Sequence, residues 1–232
     1  MTSARPAGRL WLTAALLLLA GLFVGLGIWQ LERRQWKHEL IAAVDARAHA
    51  APVAAPGPAK WPKISRDSHA YLKVRATGQY LPGHDSFVQA VTDLGSGFWV
   101  LSPLDTGDGI ILINRGFVPK REANPAPPAG EVAVQGLLRI TEPDGGFLRS
   151  NDPGAARWYS RDVPAIAAAN GLSGVAPYFI DAARDPATRP GDPVGGLTVI
   201  RFSDSHMSYA LTWFAMALMS LGGIWLIWRQ RG

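Results

Sequence analysis

The chain has 232 residues, a formal charge of +5 and no cysteine, so disulfides, thiolate metal sites and cysteine nucleophiles are excluded. The basic excess lies at the two ends: residues 1–37 contain five Lys or Arg and one Glu, and residues 206–232 contain two Arg and no acid. Basic residues beside apolar segments are typical of membrane topology signals, so a nucleic-acid-binding surface is not expected.

The first apolar segment covers residues 10–31 and is long enough to cross a bilayer as a helix. A cleaved signal peptide has a shorter apolar core and a small-x-small site directly after it, whereas here the charged and aromatic residues 32–37 follow. We therefore expect an uncleaved membrane anchor. Gly21 and Gly25 form a G-xxx-G pair within it, which either lets another helix approach closely or is ordinary filler.

Residues 32–62 are predicted to leave the membrane as a helical extension that becomes a proline-rich linker or extended arm. Arg33, Arg34 and Lys37 stand at the start of this segment. Their side chains either snorkel to the membrane interface or pair with an anionic group.

Residues 63–205 have the pattern of a β domain with one short helix, because several segments alternate apolar and polar residues at the period of a half-buried strand. The unbroken apolar run 110–113 predicts a strand buried on both faces. Asp162 is a predicted N-cap for a helix over residues 163–169. The predicted strands cover residues 72–80, 98–104, 110–113, 132–140, 177–181 and 197–202.

The second apolar segment, residues 206–228, begins with a histidine, and an ionisable side chain at such a boundary calls for a reason. On a helix, His206 shares a face with Tyr209, Ala210 and Trp213. Alanine leaves room and aromatic rings supply flat walls, so this face suits a planar apolar ring whose iron takes His206 as its metal ligand. The alternative is that His206 only caps the helix or lies in the lipid headgroup layer.

Together these segments predict an α+β protein in which two transmembrane helices flank an antiparallel, barrel- or sandwich-like extracytoplasmic β domain with one short helix. The arginines close to both chain ends favour cytoplasmic termini. With that topology, Arg33 and Arg34 lie at about the membrane depth of His206, where their guanidinium groups could pair with the propionates of a bound haem.

No Gly-rich phosphate loop, H-E-x-x-H or G-x-S-x-G motif is present and the five histidines are dispersed, so we expect no enzymatic activity. Several motifs do resemble one family, the surfeit locus protein 1 family, in the same order from the first apolar segment to the second. They are Gly27-x-Trp29-Gln30-Leu31-x-Arg33, Val74-x-Ala76-x-Gly78-x-Tyr80, Ile113-Asn114-Arg115-Gly116-Phe117-Val118-Pro119, Tyr178-Phe179-Ile180-Asp181 and His206-x-x-Tyr209-Ala210-x-Thr212-Trp213-Phe214.

The resemblance implies a factor for the assembly of haem-copper (cytochrome c) oxidase that binds haem a through a histidine matching His206. The oxidase large subunit, haem a synthase and membrane lipid are then the expected partners. The first span begins near residue 10, which leaves no room for a mitochondrial presequence, so we expect a bacterial member in the inner membrane with a periplasmic β domain. The family commonly has Asn-Asn-His-Leu where this chain has Asp204-Ser205-His206-Met207, so the neighbours of the histidine differ.

The first functional reading is thus a non-enzymatic assembly factor that holds haem a at the outer end of its two-helix anchor for insertion into the oxidase. The second is a membrane scaffold that stabilises an oxidase intermediate and carries no cofactor. A third, a periplasmic sensor or ligand-binding domain, predicts a signalling output for which the short cytoplasmic ends leave no space.

Overall fold

Two long helices at the chain ends form one unit of the protein, residues 1–43 with 201–232, and residues 44–200 form another. The structure is a computed structural model and describes residues 6–123, 125–143, 145–146, 148–200 and 204–229. Its helices and strands are α1 (Pro6–His49), β1 (Val53–Ala54), α2 (Arg66–His69), β2 (Lys73–Tyr80), β3 (Ser86–Thr92), β4 (Gly95–Asp105), β5 (Ile110–Val118), β6 (Glu131–Ile140), α3 (Val163–Ala169), β7 (Val175–Ala182) and α4 (His206–Arg229).

The helix unit pairs α4 with the N-terminal part of α1, and both helices are long and apolar enough to cross a membrane. The pair is antiparallel, because the start of α4 meets α1 at Gln30 while the indole Nε1 of Trp228, near the end of α4, donates to Thr13 Oγ1 at 3.2 Å. Between these ends the rings of Phe23 and Trp213 stack with centroids 5.8 Å apart.

Each helix of the pair has one stripe of buried or partly buried residues along its length. The spacing between successive members of the stripe alternates between three and four residues. A repeat averaging 3.5 residues is the period of left-handed helix packing, so the two stripes stay in register along the pair. The stripe on α1 includes Thr13, Leu16, Ala20, Phe23, Gly27, Gln30 and Arg34, and the stripe on α4 includes His206, Ala210, Trp213, Ala217, Ser220, Ile224 and Ile227. Leu26, Phe214 and Trp228 are also partly buried and border these stripes.

Gly27 is the glycine that allows the close approach of α1 and α4. A Cβ atom there would lie 2.5 Å from Cε1 of Phe214, so any larger residue would displace the ring. The G-xxx-G pair has no such role in this contact, because Cβ atoms added at Gly21 and Gly25 would meet nothing within 4 Å. The spacing of those two glycines therefore does not mark the α1–α4 interface.

The β unit is a seven-stranded sheet in the order β1-β2-β6-β7-β5-β4-β3. An added pairing of β2 with β4, at Gln79 with Asp105 and Tyr80 with Leu104, closes the five central strands into a barrel. Gly78 makes this closure possible, because a Cβ atom there would lie 2.1 Å from the carbonyl oxygen of Asp105. The predicted α+β class, with a barrel-like domain between two apolar helices, is confirmed.

We expected a wholly antiparallel sheet, but the sheet contains two parallel pairs, β5–β7 within the barrel and β1–β2 at the sheet edge. β7 lies between β5 and β6 and is antiparallel to β6. Since β5 and β6 run in opposite directions, a strand inserted between them must be parallel to one of the two. Alternating hydrophobicity gives the face that each residue occupies but not the order of the strands.

The core of the β unit has two parts, one inside the barrel and one between the sheet and α3. β5 contributes to both: Ile111 and Ile113 pack inside the barrel and Leu112 packs toward α3, each at most 4% exposed. This confirms that residues 110–113 are buried on both faces. The predicted cap of α3 is also confirmed, since the backbone N–H of Ala165 donates to Asp162 Oδ1 at 3.2 Å.

Three stretches differ from or extend the sequence prediction. β3 was not predicted, because its outward residues mix exposed Val91 with Gln89 and give no clear alternation. The proline-rich residues 52–62 contain β1 and most of a 3₁₀ turn, and the carbonyl of Pro56 accepts hydrogen bonds from Trp61 Nε1 and the Tyr178 hydroxyl. In the predicted strand 197–202, residues 197–200 form no strand, and residues 201–202 lie outside the described residues.

Candidate functional site

The candidate site begins at the first turn of α4, where two local hydrogen bonds fix the helix start. The carbonyl oxygen of Ser205 accepts a hydrogen bond from the backbone N–H of Tyr209 at 3.2 Å, and Asp204 Oδ1 accepts one from the backbone N–H of His206 at 3.1 Å. A carboxylate at this point satisfies a free helix N–H and faces the positive end of the helix dipole. The sequence Asp-Ser-His therefore places His206 as the first residue of the helix.

The ring of His206 is half-buried and has a defined partner on α1. Its Nδ1 atom lies 2.8 Å from Oε1 of Gln30. An amide oxygen can only accept a hydrogen bond, so this contact is a hydrogen bond when Nδ1 carries the proton. In the neutral ring, Nε2 then has a free lone pair, which is the state that a haem iron or another metal ion requires.

Asp204 links the start of α4 to α1 through its second carboxylate oxygen. Oδ2 accepts a hydrogen bond from Nε2 of His38 at 2.7 Å and lies 3.7 Å from Nε of Arg34. The hydrogen bond from His38, followed by the one from the backbone N–H of His206, lowers the pKa of Asp204 below its usual value. The carboxylate is therefore charged at neutral pH and holds the two helices together at this end.

The two predicted arginines have different surroundings. Arg34 faces Asp204, the residue that caps the helix of His206. The guanidinium of Arg33 instead lies 4.4 Å from the ring centroid of Trp36 on its own helix. The structure thus brings Arg34 into the cluster around the start of α4, while Arg33 stacks on an aromatic ring one turn away.

The predicted ring-contacting residues divide between the helix interface and the outer surface. Ala210 is fully buried, and Trp213 stacks on Phe23 of α1. Tyr209 points away from this interface and is 55% exposed. Contact of these residues with a haem ring stays a prediction, in which Tyr209 is the accessible member and Ala210 and Trp213 are covered by α1.

Sequence reasoning missed Gln30 and His38 as members of this cluster and saw Asp204 only as a departure from a family motif. Their partners lie more than 160 residues away along the chain, so no local spacing reveals them. A signal was nevertheless present: Gln30 is a polar residue within the last turn of an apolar span, and Arg34 follows it one helical turn later.

The donor set of the site suits a haem better than a bare metal ion. Within the part of the chain that the structure describes, no group of three or more His, Cys, Asp or Glu side chains could hold a metal ion. A haem supplies four ring nitrogens to its own iron and needs only an axial ligand from the protein. One imidazole with a free Nε2 and a fixed Nδ1–H fits that requirement.

The β unit has a buried charge cluster of its own around Asp181, which is 3% exposed. Its carboxylate accepts hydrogen bonds from Asn114, Arg139, Arg161 and Thr198, at distances between 2.7 and 3.2 Å. The donors come from β5, β6, the segment before α3 and the segment after β7. Because every bond joins a different segment, the cluster ties the central strands together.

A cavity of about 870 Å³ also opens in the β unit, with Tyr80 and Arg115 among its lining residues. The guanidinium of Arg115 lies 5.9 Å from the ring centroid of Tyr80. Burial raises the pKa of Tyr80 to about 12. The phenol therefore stays protonated at physiological pH and is not poised to act as a general base.

Comparison with known proteins gives concordant matches along the chain. The model of the SURF1 family matches residues 17–218. The chain is similar to Surfeit locus protein 1 of Mus musculus, at 35% identity over 87% of this chain and 70% of that protein, and to Surfeit locus protein 1 of Homo sapiens, at 33% identity over 87% and 72%. It is also similar to a SURF1-like protein of Monosiga brevicollis, at 33% identity over 99% of this chain and 91% of that protein.

These matches cover both apolar helices and the barrel between them, so they include all the motifs that suggested the resemblance. The predicted membership is confirmed: the chain belongs to the SURF1 family.

Proposed function

We propose that this protein is a non-enzymatic assembly factor for haem-copper (cytochrome c) oxidase in a bacterial inner membrane. Membership of the SURF1 family and the two apolar helices support this role. The oxidase large subunit and haem a synthase are the proposed protein partners. In this reading the barrel provides the docking surface and the helix pair provides the site for the cargo.

We further propose that the cargo is haem a, held through an iron bond to Nε2 of His206. The observation that carries this proposal is the 2.8 Å contact between Nδ1 of His206 and Oε1 of Gln30, because it leaves Nε2 as the free ligand atom. Arg33 and Arg34 would pair with the propionates, and Tyr209, Ala210 and Trp213 would contact the ring. His206 would give up the iron when a ligand of the oxidase large subunit replaces it.

The test is a visible spectrum of the full-length protein purified from cells that make haem a. The wild type should retain haem, and His206→Ala should lose most of it, by about 10-fold or more, because the axial ligand is gone. His84→Ala is the matched control, since His84 lies in the loop between β2 and β3 of the β unit, and it should retain haem like the wild type. Retention by His206→Ala would remove His206 as the ligand.

The second candidate function is a membrane scaffold that binds oxidase intermediates without a cofactor. The observation that favours it is the closed helix interface, in which Ala210 is fully buried and Trp213 stacks on Phe23. The same purification separates the two functions. A colourless wild type that still co-purifies with the oxidase large subunit supports the scaffold, and a haem-loaded wild type supports the carrier.

A further inference from the structure

Gln30 and His206 lie 176 positions apart in the chain, yet their side chains are in direct contact within the helix pair. Both side chains are half-buried there. The contact joins an acceptor-only amide oxygen to Nδ1, so it is a hydrogen bond only when that ring nitrogen carries the proton. Gln30 therefore selects one of the two neutral forms of the imidazole.

The choice of tautomer decides which ring nitrogen can act as a ligand. With the proton on Nδ1, the lone pair of Nε2 is free, whereas the other tautomer places a proton on Nε2. A carbonyl that accepts from Nδ1–H also fixes the rotation of the ring and makes its second nitrogen more basic. The amide of Gln30 can supply all of these effects.

Contacts on both sides hold Gln30 opposite His206. One turn before it, Gly27 packs against the ring of Phe214. One turn after it, Arg34 faces Asp204, which also accepts the backbone N–H of His206. These contacts limit sliding and rotation of α1 against α4, so the amide oxygen stays within hydrogen-bonding distance of the ring.

We propose that Gln30 is a positioning residue that locks His206 in the Nδ1-protonated form and so presents Nε2 as the ligand nitrogen. That Nε2 binds a haem iron rests on the proposed function. The Nδ1-protonated form of His206 does not depend on haem, because Gln30 and His206 are in contact within the helix pair alone.

The first experiment measures the tautomer without haem. The full-length protein, with isotope-labelled histidine ring nitrogens, is studied by NMR in detergent micelles at a pH where neutral imidazoles predominate. The His206 signals are identified by their loss in His206→Ala. The wild type should show protonated Nδ1 and unprotonated Nε2, and Gln30→Met should show a mixture of both tautomers. Gln35→Met is the matched control, because Gln35 lies on the exposed side of the same helix next to Glu39, and it should behave like the wild type. An unchanged His206 spectrum in Gln30→Met, or a wild type protonated on Nε2, would overturn the proposal.

The second experiment adds haem to the same variants and measures affinity and reduction potential. Gln30→Met should bind haem about 10- to 100-fold more weakly than the wild type. Gln30→Glu should bind haem with a lower reduction potential, because a carboxylate accepts more strongly from Nδ1–H and a more basic ligand favours ferric iron. A purely structural role of Gln30 would not shift the potential in this direction.

The two experiments fail separately. If the wild type binds haem but both Gln30 variants match it in affinity and potential, Gln30 is not a positioning residue and the proposed function stands. If the wild type binds no haem, the proposed function fails, and the haem-free tautomer measurement alone decides the role of Gln30.

Discussion

Asp181 and Asp204 each hold together segments that are far apart in the sequence, but they differ in exposure. Asp181 is 3% exposed and receives two guanidinium groups, those of Arg139 and Arg161. The Asp204 side chain is 21% exposed and receives His38 and Arg34 at the edge of the helix pair. Water can replace the partners of Asp204 more readily than those of Asp181, so the buried carboxylate should matter more for stability.

We predict that Asp181→Asn destabilises the β unit by about 1–3 kcal/mol, because Arg139 and Arg161 lose a buried carboxylate but still pair with Glu142. The measurement is urea unfolding of the full-length protein in detergent, followed through tryptophan fluorescence. Trp158 is a suitable reporter, since it is 3% exposed in the core of the β unit.

Asp152→Asn is the matched control for this change. Asp152 also bonds an arginine, Arg157, but both groups are exposed, so its loss should have little effect on unfolding. Equal destabilisation by the two substitutions would contradict a special role for the Asp181 cluster.

Some residues of the site can be predicted from the sequence and others cannot, depending on whether the local sequence around them is unusual. His206 is recognisable because an ionisable side chain begins an apolar segment, which is a local anomaly. Gln30, His38 and Asp204 leave no such anomaly that specifies a partner, because their contacts join the two ends of the chain. Only the packing of α1 against α4 shows that these residues form one cluster.

The same distinction holds at the scale of helices and strands. β5 was predictable because continuous apolar residues are needed only where both faces are buried. The interface of α1 and α4 was not predictable from hydropathy, because lipid is as apolar as a partner helix and both faces of a membrane helix can carry leucine. Burial at a repeat of 3.5 residues appears only in the structure, and it assigns the close contact to Gly27 rather than to Gly21 and Gly25.

We predict that Gly27→Leu separates α1 from α4 and Gly25→Leu does not. At Gly27 the added side chain meets the ring of Phe214, whereas at Gly25 a Cβ atom meets nothing within 4 Å. Large side chains at a helix contact should increase the interaxial distance by about 1–2 Å. Spin labels on Ile28→Cys and Leu211→Cys, which replace exposed residues, report the distance by pulsed electron resonance.

Separation of the helices has a second expected consequence. If Gly27→Leu moves α4 away, the hydrogen bond between Gln30 and His206 breaks, and the variant should lose haem while Gly25→Leu retains it. Equal inter-label distances in the two leucine variants would show that the contact at Gly27 does not set the helix spacing.

For the whole molecule, the membrane orientation decides at which surface His206 lies. The arginines near the two chain ends favour cytoplasmic termini, whereas Arg33, Arg34 and Lys37 count against that orientation. In the structure Arg34 pairs with Asp204 and Arg33 stacks on Trp36. Local partners therefore account for two of the three basic residues that oppose the assignment.

We predict that the β unit faces the periplasm, and the absence of cysteine from the chain makes this testable with single substitutions. In spheroplasts a membrane-impermeant maleimide should label Val91→Cys, which replaces a side chain that is 85% exposed in the β unit. Ser3→Cys, near the N-terminus, should be labelled only after the membrane is permeabilised. The reverse pattern would place His206 at the cytoplasmic surface, and haem delivery from the outer end of the helix pair would then be excluded.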